Sequence, residues 1–353
     1  METITVKASK TYKVEVGSAL LTSVGSRLCA LLPAPRKIML VSDDTVWALY
    51  GNEVKHSLLA AGYAVEVFVF PHGEASKNTA TLLSLWNAMA GAKLSRSDCA
   101  VALGGGVVGD LTGFAAATYL RGIACYQIPT TLLAMVDSSV GGKTAVDLPA
   151  GKNLCGAFSQ PIGVLCDTEV LKTLSDDIFA DGCAEVIKYG YLGDPTLLKM
   201  LEHDFKNDPE QVIARCIADK RDVVQEDEHD NGRRQLLNLG HTGGHAVEKL
   251  SDFSISHGSA VAIGMLMAAR AAVARGACPP DVPAHMEKML RRYRLPTECP
   301  YGAAELAEAA LSDKKRRGGT VTFILPKQLG ESVLYPVPAD ELPALFAAGG
   351  APQ

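Results

Sequence analysis

The strongest constraint on how this chain folds is a cluster of glycines where a strand turns into a helix. An apolar run over residues 99–103 leads into Leu103-Gly104-Gly105-Gly106-Val107-Val108-Gly109-Asp110, and the pattern beyond it is helical. Glycines let the backbone turn sharply and pass close to a bound group, while the unpaired N–H groups opening the next helix face negative charge. Gly104, Gly106 and Gly109 have the G-x-G-x-x-G spacing of a dinucleotide phosphate site. Two details depart from the usual arrangement. The motif does not follow the first strand, and about twenty residues on, where a ribose-binding acid is expected, stands the neutral Ala124. Partners for a ribose are therefore sought earlier, at Asp43 behind a strand over 37–42, and at Glu74 and Lys77 in His72-Gly73-Glu74-Ala75-Ser76-Lys77.

Up to about residue 173, short β-branched runs at 4–7, 37–42, 64–70, 99–103, 124–128 and 162–166 alternate with helical patterns. That alternation predicts a mostly parallel sheet with helices on both faces. Beyond it, helical periodicity covers 179–191, 209–225, 241–250, 259–274 and 283–293. A late strand is expected over 320–325, ended by Pro326 and paired with 332–335. The chain thus reads as an α/β N-terminal domain over 1–174 and a mainly α-helical C-terminal domain over 175–353, with the last seven residues a frayed tail.

The net charge of −5 excludes bulk attraction to nucleic acid or an anionic membrane, so neither is an expected partner. Nine scattered cysteines without a C-x-x-C pair, behind a start that has no secretory pattern, read as reduced thiols of a cytoplasmic protein. The longest apolar stretch, 260–269, is stopped by Arg270 and reads as a buried helix.

Two groups of residues carry chemistry. Glu185 lies in Ala184-Glu185-Val186-Ile187-Lys188, His241 and His245 in Gly240-His241-Thr242-Gly243-Gly244-His245, and His257 precedes Gly258. Two imidazoles and a carboxylate suit a catalytic zinc that keeps a position open. By spacing alone His241 and His245, four apart on one helix face, are the obvious pair of ligands. The second group runs from Pro129-Thr130-Thr131 through Asp137-Ser138-Ser139-Val140-Gly141-Gly142-Lys143-Thr144 to Gly151-Lys152-Asn153-Leu154. Lysines among flexible glycines suit a polyanionic ligand, and Lys188, Lys220, Arg234 and Lys314 extend the supply of cations. Lys314-Lys315-Arg316-Arg317 reads as a solvated charge run and Glu226-Asp227-Glu228 as an exposed helix end.

With these segments in order, the chain resembles the 3-dehydroquinate synthases, within the sugar-phosphate cyclase superfamily, over almost its whole length. The likeness rests on residues 104–110, 129–146 with Gly151-Lys152-Asn153, Ala184-Glu185-Val186-Ile187-Lys188-Tyr189-Gly190, Leu237-Asn238-Leu239-Gly240-His241 with Gly244-His245-Ala246, His257-Gly258, and Asp313-Lys314-Lys315. The resemblance implies zinc or cobalt on Glu185, His241 and His257, with His245 a substrate-side proton shuttle, overruling the spacing argument. It assigns NAD to Asp43, Gly73, Glu74, Lys77, Gly105, Gly106, Val107, Val108, Gly109, Asp110, Thr130, Thr131, Lys143, Lys152 and Thr173. It places Asp137, Lys143, Lys152, Asn153, Lys188, Lys220, Arg234, Asn238, His245 and Lys314 around a sugar phosphate carboxylate, with Arg121 reaching it from the partner of a homodimer. Among these, His245, Lys152, Lys188, Arg234 and Asn238 are the expected catalytic residues.

The implied reaction, in the shikimate pathway, converts 3-deoxy-D-arabino-heptulosonate 7-phosphate to 3-dehydroquinate and phosphate. Its steps are transient oxidation by NAD, β-elimination of phosphate, re-reduction and aldol closure. Gly243, Asp147 and Ser259 depart from the residues usual in the family. Rival readings are a sibling cyclase with another substrate, a metal-dependent polyol dehydrogenase, and an NAD-binding module without chemistry.

Overall fold

The computed structural model describes residues 1–206, 208–313 and 319–352, leaving out the side chains of Ser312 and Asp313. The chain forms two compact units, Met1–Leu174 with Pro209–His229, and Ser175–Asp208 with Asp230–Gln353. The segment Pro209–His229, expected in the helical domain, belongs to the first unit. Its helix Glu210–Glu226 lies against the first strand: the Gln225 side chain accepts from the Lys7 N–H at 2.8 Å. Just beyond the helix, Glu228 accepts from the Ser9 N–H at 2.7 Å and the Ser9 hydroxyl at 2.6 Å, so this acidic run is a tether instead of a loose end.

The first unit is built on strands β1 (Glu2–Lys7), β2 (Thr11–Gly17), β3 (Lys37–Asp43), β4 (Ala64–Phe70), β5 (Cys99–Gly104) and β6 (Ala124–Pro129). A hairpin of β7 (Lys143–Leu148) and β8 (Gly151–Phe158) follows, then β9 (Gly163–Asp167). The main sheet has the order β1-β2-β9-β6-β5-β3-β4, parallel except for β1 against β2. Neither β2 nor the β7–β8 hairpin was among the expected strands. Every residue of β5 is buried, as a strand covered on both faces requires. Leu82, Leu85 and Met89 from helix Thr79–Gly91, and Val108, Leu111 and Phe114 from helix Gly106–Thr118, pack on Met39, Val41, Ala100 and Ala102. The chain runs outward from β3 to β4, then returns to the other side of β3 as β5. The carboxyl ends of β3 and β5 therefore flank a topological switch point, where open α/β sheets bind ligands. Asp43 and Gly104 are their last residues.

In the second unit helices Asp176–Leu192, His241–Leu250 and His257–Ala274 form the core, joined by an antiparallel ribbon of β10 (Thr320–Gln328) and β11 (Glu331–Pro338). Pro326 does not end β10. It pairs with Ser332, next to a register shift, in a ribbon whose free edge tolerates the missing N–H. The C-terminus is packed instead of frayed: Ala351 is buried and the Pro352 carbonyl accepts from the Ala303 N–H at 2.8 Å. His257–Ala274 is 18 residues long and apolar enough to cross a membrane, longer than the 260–269 run because the helix continues past Arg270. Of its length 72% is buried, as in a core helix.

Glycines let these three helices close on one another. A Cβ on Gly264 would stand 2.0 Å from the Gly240 carbonyl oxygen, and one on Gly258 2.0 Å from that of Asp181. Gly240 has φ +82°, and a Cβ there would stand 2.7 Å from the Val261 carbonyl oxygen. Backbone meets backbone at these points, so no side chain can swing aside. Gly264→Ala is expected to cost about 1–3 kcal/mol in urea unfolding through overpacking. Gly91→Ala, at an exposed helix end with nothing within 4 Å, is expected to be neutral or slightly stabilising.

Candidate active site

In the second unit, helix Asp176–Leu192 carries Glu185 fully buried, with Lys188 one turn on and 1% exposed. Gly240, in the left-handed region, turns the chain so that His241 opens its helix, and His257 opens the next. Glu185 Oε1 lies 3.7 Å from His241 Nε2 and 3.4 Å from His257 Nε2. The ligand atoms of Glu185, His241 and His257 all lie within 4.8 Å of one another. One carboxylate and two imidazoles so close, with the carboxylate sealed from water, is a donor set that fits a divalent cation. The Lys188 ammonium contacts the other Glu185 oxygen.

His245 joins a second such group with His257 and Glu248, and its ring centre is 5.4 Å from that of His241. Glu248 was missed from the sequence. It is 3% exposed, with Oε2 3.5 Å from His257 Nδ1, the nitrogen turned away from Glu185. Its position seven after His241 and three after His245, on the same helix face, is the signal that could have found it. Burial, and next the Lys188 ammonium, hold His241 well below the usual histidine range. At His257 burial is outweighed by Glu185 and Glu248, which push it up to about 10. Two carboxylates that favour a proton on His257 also favour a cation.

In the first unit the glycine turn is a strand-to-helix junction: β5 ends at Gly104 and helix Gly106–Thr118 begins with no side-chain cap. Its first N–H groups point out of the helix, the arrangement that accepts a phosphate. A Cβ on Gly104 would meet Val108 at 2.4 Å, one on Gly109 the Gln127 side chain at 2.9 Å, and one on Gly106 the Ser138 hydroxyl at 3.2 Å. Gly105 faces Thr131, whose hydroxyl accepts from the Ala134 N–H at 3.2 Å. Thr130 is buried and its N–H donates to the Gly104 carbonyl at 3.0 Å. Asp43 caps the turn that follows it, accepting from the Val46 N–H at 2.8 Å. Thr173 is exposed, with its hydroxyl 2.5 Å from that of Tyr50.

Beside this junction Lys77, 4% exposed, holds Asp110 at 2.6 Å and donates to Asn153 Oδ1 at 2.6 Å. Glu74, behind Gly73 with its φ of +96°, lies 3.9 Å from both the Lys77 and Lys152 ammoniums. Asp137 sits in a π-turn, Ala134–Ser138, that aims both its carbonyl and its carboxylate at Lys220, at 2.6 and 2.7 Å. Lys143 is exposed at the start of β7. Arg121 is exposed on a turn with φ +65°. In the second unit Arg234 is 1% exposed and Asn238 partly buried, both in the 3-10 turn Arg233–Asn238. Lys314, with the charge run that follows it, lies outside the described residues.

Two solved structures share this architecture almost end to end. The chain is 25% identical to 2-deoxy-scyllo-inosose synthase complexed with carbaglucose-6-phosphate, NAD+ and Co2+, covering 98% of this chain and 99% of that one, with a TM-score of 0.86. It is 26% identical to 2-epi-5-epi-valiolone synthase from Streptomyces hygroscopicus subsp. jinggangensis 5008 with NAD+ and Zn2+ bound, at the same coverage and a TM-score of 0.86. The fold is that of the sugar-phosphate cyclases. Within that class, the family model described as 3-dehydroquinate synthase N-terminal matches residues 67–181, and the one described as 3-dehydroquinate synthase C-terminal matches 182–316. The 3-dehydroquinate synthase of Pelobacter propionicus is 44% identical over 352 residues, 97% of this chain and 98% of the relative. The chain belongs to the 3-dehydroquinate synthase family. Its reaction is the shikimate-pathway conversion of 3-deoxy-D-arabino-heptulosonate 7-phosphate to 3-dehydroquinate and phosphate.

The Lys77–Asp110 pair gives a test of how tightly the polar cluster is bound into the fold. Burial alone would lower the Lys77 ammonium, yet Asp110 and Glu74 keep it above the usual lysine range. Lys77→Met leaves Asp110, 18% exposed, without its main counter-charge. The expected loss is about 3 kcal/mol in chemical unfolding, the low end for breaking a buried pair because Asp110 keeps some water.

Proposed function

We propose that the chain runs this reaction as a carbon–oxygen lyase with NAD at the glycine turn of the first unit and a divalent metal, zinc or cobalt, on Glu185, His241 and His257. The observation that carries this reading is the convergence of those three side chains, with ligand atoms within 4.8 Å, where glycines bring three helices together. The cyclases solved with NAD+ and with Co2+ or Zn2+ support it. When bound, NAD supplies reversible oxidation of a substrate hydroxyl and the metal supplies polarisation of its oxygen.

The chain's own residues do the rest. The N–H groups of Gly105, Gly106, Val107, Val108 and Gly109 bind the pyrophosphate, with Asp110, Thr130 and Thr131 beside them. Asp43, Gly73, Glu74, Lys77 and Thr173 hold the remainder of the dinucleotide, together with Lys143 and Lys152. Lys152, Lys188 and Arg234 bind the carboxylate and phosphate of the substrate and stabilise charge as it develops. Asp137, Lys143, Asn153, Lys220 and Asn238 fix its hydroxyls and its orientation. His245 passes the hydroxyl proton toward solvent. Arg121, on its exposed turn, reaches the phosphate bound by the partner subunit of a homodimer. Nine free cysteines, with no disulfide, fit work in the cytoplasm.

Phosphate release from 3-deoxy-D-arabino-heptulosonate 7-phosphate with trace NAD tests the reading. Phosphate far in excess of NAD, lost on chelation and restored by zinc, is the expected result. No release by protein loaded with both zinc and NAD overturns it in favour of a sibling cyclase. His245→Ala is expected to lower turnover by about 10²–10⁴-fold, the usual contribution of a positioned proton-transfer group, while keeping stoichiometric metal. Loss of metal in that variant would move His245 into the ligand set.

A further inference from the structure

The β7–β8 hairpin contains a break in its ladder. Val146 pairs with Cys155 and Leu148 with Gly151, so Lys152, Asn153 and Leu154 of β8 stand opposite the single residue Asp147 of β7. Bulges of this kind re-aim side chains. Here the bulge carries Lys152 and Asn153, and Asn153 takes a left-handed backbone with φ +56°. Residues expelled from a ladder lose their ladder partners, and Asp147 supplies one in their place. Its Oδ1 accepts from the Asn153 N–H at 2.7 Å.

Asp147 is also tied to the loop that carries Glu74 and Lys77. Its own N–H donates to the Lys77 carbonyl at 2.8 Å, and it forms an isolated parallel bridge with Asn78. Asn78 in turn caps helix Thr79–Gly91, accepting from the Ala80 N–H at 2.9 Å and the Thr81 N–H at 3.0 Å. The contacts close a ring: Asp147 to Asn153, Asn153 to the Lys77 ammonium at 2.6 Å, and Lys77 back to Asp147 through its carbonyl.

We propose that Asp147 is a positioning residue which, by holding the Asn153 N–H and the Lys77 carbonyl at once, fixes the β8 bulge and so sets Lys152 and Asn153 for the substrate. The effect on substrate rests on the reading of Lys152 and Asn153 given above; the hold on the bulge does not. Burial raises the Glu74 carboxyl above its ordinary range against the pull of Lys77 and Lys152, and the like charge of Asp147 adds to that rise. The feature the role requires is an acceptor oxygen at Oδ1, which an amide also provides.

Three variants of the full chain test this: Asp147→Asn, Asp147→Ala and, should the alanine variant not fold, Asp147→Ser, whose hydroxyl is one bond shorter. Hydrogen exchange over residues 150–155 and steady-state phosphate release are read on each. A hydrogen bond to a charged acceptor corresponds to about tenfold or more in local opening. Asp147→Ala is therefore expected to exchange about tenfold faster across the bulge and to raise the substrate KM by about tenfold. Asp147→Asn is expected to stay within about threefold of wild type in both, on the same reasoning. Unchanged exchange in Asp147→Ala, or an equal defect in Asp147→Asn, overturns the proposal. Faster exchange with an unchanged KM and kcat upholds the positioning and overturns the placement of Lys152 and Asn153 at the substrate.

Discussion

The second unit depends on the approach of helix backbones that no side chain separates. At Gly240, Gly258 and Gly264 an added Cβ would fall 2.0 to 2.7 Å from a carbonyl oxygen of a neighbouring helix or turn. Interiors are packed like crystals, so such contacts cannot be relieved locally. Ligand reach is short: Glu185 extends from one helix to meet imidazoles that open two others. Without these glycines the helices would have to move apart, and the three ligand atoms, now within 4.8 Å of one another, would move with them. The glycines of the Gly-His motifs are thus structural and chemical at once. The same logic reaches Gly243, where the family departure sits: a Cβ there would meet the Met267 methyl at 2.7 Å, so Met267 occupies the space a larger residue would need.

That approach also groups side chains that spacing along one helix does not relate. His241 and His245 share a helix face, and the i,i+4 rule makes them a pair. The structure groups His241 with His257 from another helix and Glu185 from a third, while His245 falls with Glu248 and His257. A one-helix rule cannot see a junction of three.

In the first unit the parallel strands were legible because each is a compact β-branched run bounded by turns, and 64–70 matches β4 residue for residue. The β7–β8 hairpin was not. Its glycines and lysines read as part of a ligand loop, and its pairing depends on a register break that leaves no period to find. β2 alternates polar and apolar residues but sits only three residues after β1, too near to stand out as a separate strand. The attachment of Pro209–His229 to this unit depends on Lys7, Ser9 and Asp137, all far off in sequence, and no local pattern announces it.

In a chain with net charge −5, three lysines among the described residues are nonetheless buried, each against a carboxylate: Lys77 with Asp110, Lys188 with Glu185, and Lys220 with Asp137. A lone buried ammonium would lose its proton or unfold its surroundings, so pairing is the condition for keeping these cations charged. The pairing also fixes where these ammonium groups stand, which lowers the ordering cost of any contact they make. Lys188 is the most telling case. Its counter-charge is Glu185, the carboxylate proposed to hold the metal, so one buried anion meets the ammonium with one oxygen and faces the two imidazoles with the other.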